Sequence, residues 1–132
     1  MSSTVHQLKR LDDVVPLPDN WDGYGAPAIS PLAIAQARKI LESYNNLLHP
    51  GVGCQVFATV SGGVEVDLDY YDFQLYVPID RSVEIKVDEE GAVTTTYYNE
   101  KLRVIYQTHE PVPSLGHIEH FLLEGRIRPP RP

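Results

Sequence analysis

A chain of 132 residues, 42% of them apolar and 22% charged, suits a single globular domain. At that size roughly two-thirds of the unfolded surface is buried on folding, so the core needs no staples. One cysteine, Cys54, excludes an intramolecular disulfide. No apolar run approaches the ~20 residues a membrane helix requires, and Met1 to Arg10 lacks the apolar centre of a signal peptide. A cytosolic protein without a cofactor is the expectation.

The net charge of −7 is concentrated. Residues 61–90 hold nine acids against two bases, and the rest of the chain is balanced. Such a segment repels phosphate and disfavours direct nucleic-acid binding; a basic partner suits it better.

In chain order, residues 1–19 are a lead-in in which Pro16 and Pro18 forbid regular helix. Asn20-Trp21-Asp22-Gly23-Tyr24-Gly25-Ala26-Pro27 follows, with the only tryptophan. Gly23 and Gly25 let the backbone turn on either side of Tyr24, and Asp22 is suited to cap nearby amides. Trp21 and Tyr24 are expected to be largely buried, as a structural lock before the helix. The sharper alternative is a loop facing a ligand.

Ser30-Pro31 is a helix start, a capping residue followed by a proline at the first position. Ala33, Ala37, Ile40, Leu41, Tyr44 and Leu48 recur at intervals of three and four, giving one apolar stripe that His49-Pro50-Gly51 ends. The spacing predicts a helix of about 18 residues, ~27 Å long.

From Cys54 the period becomes two. Gln55–Val60 reads as a strand and Ser61-Gly62-Gly63 as a hairpin turn. Val64, Val66 and Leu68 then alternate with Glu65, Asp67 and Asp69, one apolar face against a row of carboxylates. Tyr70-Tyr71-Asp72 reads as a wide turn or bulge, and Phe73–Val77 as a strand that Pro78 ends. Val83–Val87, Val93–Tyr98 and Leu102–Thr108 complete the strands, with turns at Glu89-Glu90-Gly91 and Asn99-Glu100-Lys101. Short connections argue for an antiparallel meander. After Pro111 and Pro113, Ser114 caps a short helix with Leu115, Ile118, Phe121 and Leu122 toward the core, closed by Gly125. Residues 126–132, Arg-Ile-Arg-Pro-Pro-Arg-Pro, form a basic tail expected to be extended.

The fold expected is therefore α+β: one long helix on an antiparallel meander sheet of about five to six strands, with a short C-terminal helix. Residues 1–125 make the single domain.

Three constellations carry chemistry. Asp72, Glu84 and Lys86 have the order of an acid and an acid-x-Lys pair, as a metal-dependent hydrolase or nuclease uses to hold a metal and orient water. Glu84 and Lys86 share a strand face, but such triplets are common on solvated strands. His117 and His120, three apart with His109 upstream, could reach one zinc, though they suit the wet side of an amphipathic helix as well. Glu65, Asp67 and Asp69, with Tyr70, Tyr71 and Asp72, make an acidic surface rich in tyrosine, the composition of a protein-docking face. A flat strand does not wrap Ca²⁺. Gly62-Gly63 lacks the lysine of a phosphate loop, and Cys54 is a weak candidate for a reactive thiol.

Leu17-Pro18-x-Asn20-Trp21-Asp22-Gly23-Tyr24-Gly25-Ala26-Pro27, then Ile29-Ser30, an Ala-rich helix and a Gly62-Gly63-Val64 strand, resemble a family of small uncharacterised bacterial proteins often carried on accessory or mobile DNA. The resemblance covers about residues 17–90. In that pattern an acid followed by tryptophan is frequent in the strand after the Gly-Gly turn; Val64-Glu65-Val66-Asp67 lacks the tryptophan. The resemblance implies a bacterial or phage setting and no catalytic residues. The function expected is a non-enzymatic protein-binding module of antitoxin, immunity or anti-defence type, with a basic protein partner. A hydrolase using Asp72, Glu84 and Lys86 is the alternative, and a homodimer through an exposed sheet edge a third option.

Overall fold

A computed structural model of the chain describes Leu11 and residues 18–44, 49, 51–72, 74–99 and 103–124, with residues 77–80 as backbone alone. The basic tail, Gly125, the helix continuation over 45–48 and most of the lead-in lie outside the described residues. The elements run α1 (Pro31–Tyr44), β1 (Val52–Ala58), β2 (Val64–Asp72), β3 (Val77–Val87), β4 (Val93–Tyr98), β5 (Val104–Thr108) and α2 (Leu115–Glu124). The five strands form one antiparallel sheet in sequence order, as short hairpin links dictate.

Helix α1 starts where Ser30 and Pro31 place it. Ser30 Oγ accepts the Leu32 amide at 3.2 Å and donates to the Glu89 carbonyl at 2.5 Å, so one hydroxyl caps the helix and ties it to the β3–β4 turn. The helix's 14 described residues span about 21 Å, and the last four of the roughly 18 expected lie outside the described residues. Its stripe of Ala33, Ala37, Ile40, Leu41 and Tyr44 is buried. Tyr44 also donates its hydroxyl to the Pro113 carbonyl at 3.2 Å, fastening the segment that leads into α2.

Both helices contact β2 and β3 on the same face of the sheet. That face carries Val52, Cys54 and Val56, then Val64, Val66 and Leu68, then Val83, Ile85 and Val87, all buried. From α2, Ile118, Phe121 and Leu122 close the core, and Phe121 meets Tyr97 edge-on at 5.2 Å. Among the described residues no helix covers the other face. There the alternating partners of the core residues stand: Gln55, Glu65, Asp67, Asp69, Glu84, Lys86, Thr94, Thr96 and Tyr98.

Two local expectations change. Of the two readings of Tyr70-Tyr71-Asp72, the bulge holds and the turn does not: the segment ends β2 with a register shift between Asp69 and Tyr70, and the turn comes later, at Gln74-Leu75-Tyr76. Pro78 sits inside β3, opposite Tyr71. Among the described residues β4 pairs only with Ser82–Val87 and none pairs with β3 on that side of residue 78, so the missing amide costs no ladder bond there.

Candidate functional site: a carboxylate trough on the open sheet face

Antiparallel register builds the site. Gln55, Asp67, Glu84, Thr96 and Gln107 stand in one line across all five strands. Glu65 and Lys86 flank that line on one side, Asp69 and Ser82 on the other. Pairing thus sets Asp67 and Glu84 directly opposite each other, an arrangement that is unfavourable for two like charges. One carboxylate oxygen from each of Glu65, Asp67 and Glu84 lies within 4.8 Å of the others.

Asp67 and Glu84 line a trough of about 330 Å³ with Gln55, Asp69, Ser82 and Tyr98, and Glu65 stands beside them on β2. A second hollow of about 320 Å³ shares Glu84 and Tyr98 and continues to Lys86, Thr96 and Gln107. Gly53 makes room at the other end, since a Cβ there would run into the Asp69 carboxylate.

The electrostatics centre on Asp67. Burial first, then its hydrogen bond to Glu65 and the charges of Glu65, Glu84 and Asp69, push its carboxyl up to about 7. A bond between two carboxyl groups exists only while one holds a proton. Asp67 Oδ1 is shut off from solvent with no donor. Burial likewise raises Asp69 above the usual carboxylate range. Lys86 Nζ sits 3.3 Å from Glu84 Oε1 and offsets part of the charge; the Glu84 carboxylate raises the lysine in turn. The cluster therefore accommodates one more positive charge, as a proton, an ammonium or a guanidinium. Its three oxygens come from a flat strand surface, which does not wrap a divalent ion as a loop does.

Of the residues read from the sequence, Asp67, Asp69 and Glu84 line the trough, with Glu65 beside Asp67 and Lys86 beside Glu84. Tyr70 keeps the parity of Val64, Val66 and Leu68 and lies on the helix-covered side, its ring stacked on His49 at 5.9 Å. Tyr71 is exposed toward the end of β2. Asp72 is taken up by the hairpin turn, where its Oδ1 accepts the amides of Gln74 and Leu75 at 2.9 and 3.1 Å. It is five residues along β2 from Asp67, about 17 Å, so the structure does not bring it to Glu84 and Lys86. Gln55 and Tyr98, not named as site residues from the sequence, join the trough as well. Their alternation was visible in the sequence; the register that aligns them was not. On α2, His120 Nδ1 pairs with Glu124 at 2.8 Å and the His117 amide with Ser114 Oγ at 3.3 Å. Cys54 is buried in the core.

The Asn20–Pro27 loop corrects one expectation: Tyr24 is 94% exposed, while Trp21 is half-buried. The loop is held by its own polar groups. Asp22 Oδ1 accepts the amides of Tyr24 and Ala26 at 2.9 and 3.0 Å, which hold its carboxyl below the usual range. Asn20 Oδ1 accepts Gly25 N at 2.6 Å, Asp19 Oδ1 accepts Ala28 N at 2.8 Å, and Trp21 Nε1 donates to the Pro27 carbonyl at 3.0 Å. Gly23 and Gly25 take left-handed backbone, φ +79° and +88°, and turn the tyrosine between them outward. With these bonds made inside the loop, Tyr24 burial is not needed to fix it.

No helix among the described residues is long and apolar enough to cross a membrane. Comparisons with protein-family models, with curated proteins and with solved structures gave no match for the chain.

Proposed function

We infer that the chain is a non-enzymatic protein-binding module, of the antitoxin, immunity or anti-defence inhibitor type, that receives a cationic segment of a partner protein on its open sheet face. The observation that supports this reading is the crowding of Glu65, Asp67 and Glu84 within 4.8 Å of one another, beside a trough that Asp67 and Glu84 line together with Tyr98. Three carboxylates with one neighbouring lysine are under-compensated. An arginine or lysine side chain laid in the trough relieves their repulsion. Binding then displaces the proton that Asp67 holds near neutral pH.

The test is recovery of the partner from the native host, followed by reconstitution of the complex from two purified proteins. The Glu65→Gln, Asp67→Asn, Glu84→Gln triple variant, checked for an unchanged circular dichroism spectrum, is expected to lose the complex. Retention of full affinity by that variant would remove the trough from the interface.

The exposure of Tyr24 favours a second reading, in which the Asn20–Pro27 loop is the contact. A rigid exposed tyrosine is a suitable interface anchor, because little entropy is lost in fixing it. Tyr24→Ala should then abolish the same complex while leaving the melting temperature unchanged.

A further inference from the structure

We propose that β5 is a self-association edge, through which two copies of the chain pair antiparallel into one continuous ten-stranded sheet. The proposal goes beyond the binding face described above and does not rest on it.

The sheet ends at β1 on one side and β5 on the other, and among the described residues no backbone pairs with the outer side of β5. An unpaired antiparallel edge is complementary to a second copy of itself. Val104 and Ile105 stand 59% and 45% exposed there. The register slip between β4 and β5 leaves Ile105 without a β4 partner. The strand, Val-Ile-Tyr-Gln-Thr, contains no charged residue and no proline, two of the devices that block pairing at an edge.

Charge selects β5 over β1. Strands are spaced about 4.8 Å apart, and the carboxylates Glu65, Asp67 and Asp69 lie on β2. Two copies joined at β1 would set their β2 strands three spacings apart, about 14 Å. Joined at β5, the same strands are seven spacings apart, about 34 Å and several screening lengths at physiological salt. Neither β4 nor β5 carries Asp, Glu, Lys, Arg or His. The flanks of β5 are complementary as well: exposed Arg103 precedes it and exposed Glu110 follows it, so antiparallel copies bring the basic end of one near the acidic end of the other. In such a dimer the two troughs share one extended face.

Sedimentation equilibrium of the full chain, from low to high micromolar concentration, tests this. The native protein is expected to move from the mass of one chain to that of two. Ile105→Lys and Val104→Lys, both at exposed positions, are each expected to weaken dimerisation by more than about tenfold with an unchanged melting temperature. Phe57→Lys, on β1, is expected to leave it intact. A native chain that stays at single mass throughout, a dimer that survives both lysine substitutions, or one that Phe57→Lys dissolves would each overturn the proposal.

Discussion

Asp67 is the residue on which most of the electrostatics turns. Its folded carboxyl titrates near 7, against 3.8 for the unperturbed group, so the folded state binds its proton more tightly than the unfolded chain does. Stability from this group is greatest below the unfolded value and is lost as pH rises from about 4 to 7. Asp67→Asn removes the penalty. It is expected to melt at a higher temperature than the native chain at pH 8, with the difference vanishing near pH 4, by thermal denaturation at both values. Thr95 is a second residue with an unmet demand: it is wholly buried and its Oγ1 has no partner. Thr95→Val keeps the shape and removes the stranded hydroxyl, and should stabilise the fold by about 1 kcal/mol in urea unfolding. Neither demand could be read from the sequence. Asp67 looked like any carboxylate on a wet strand until Glu84 was brought opposite it. Tyr24 misled in the opposite sense: aromatic character suggested burial, but Asn20 and Asp22 satisfy the loop's amides without it.

At the scale of elements, the legible parts were those with a strong period and clear punctuation. Ser30-Pro31 with the stripe to Tyr44 marked α1, and the alternations Val64–Leu68 and Val83–Val87 marked two strands and their wet faces. The Ser61-Gly62-Gly63 turn was equally plain. Gly63 makes that turn a close approach, since a Cβ would overlap the Val87 carbonyl oxygen, while its amide bonds Thr59 Oγ1 at 3.0 Å. Gly63→Ala must therefore push backbone apart and is expected to cost about 1–3 kcal/mol, read from the denaturation midpoint. The illegible parts were long-range. Tyr70-Tyr71-Asp72 carries turn-like residues, yet pairing with residues 77–79 holds it in β2. Pro78 read as a strand end because its tolerance depends on β4 stopping short, a fact of the sheet and not of the local sequence. Asp72 lies five residues along β2 from Asp67, the partner of Glu84, so the sequence spacing that suggested a metal triad does not survive folding.

Among the described residues the molecule is a one-sided sheet: a face buried under both helices and an open face that carries Glu65, Asp67, Asp69 and Glu84. An antiparallel sheet folds well with one solvated face, and the acidic row alone would satisfy that role. The crowding of three carboxylates around a shielded oxygen goes further than solubility requires. On the proposed reading the face receives positive charge, and its affinity is expected to fall with salt and with the loss of any one acid. The decisive measurement is the affinity of the purified native partner for the wild-type chain and for the Glu65→Gln, Asp67→Asn, Glu84→Gln variant, by calorimetry at two salt concentrations. A loss of more than about tenfold, with a shallower salt dependence in the variant, is expected if the trough receives the partner. Unchanged affinity in the variant, together with loss of binding in Tyr24→Ala, would contradict it and move the interface to the Asn20–Pro27 loop.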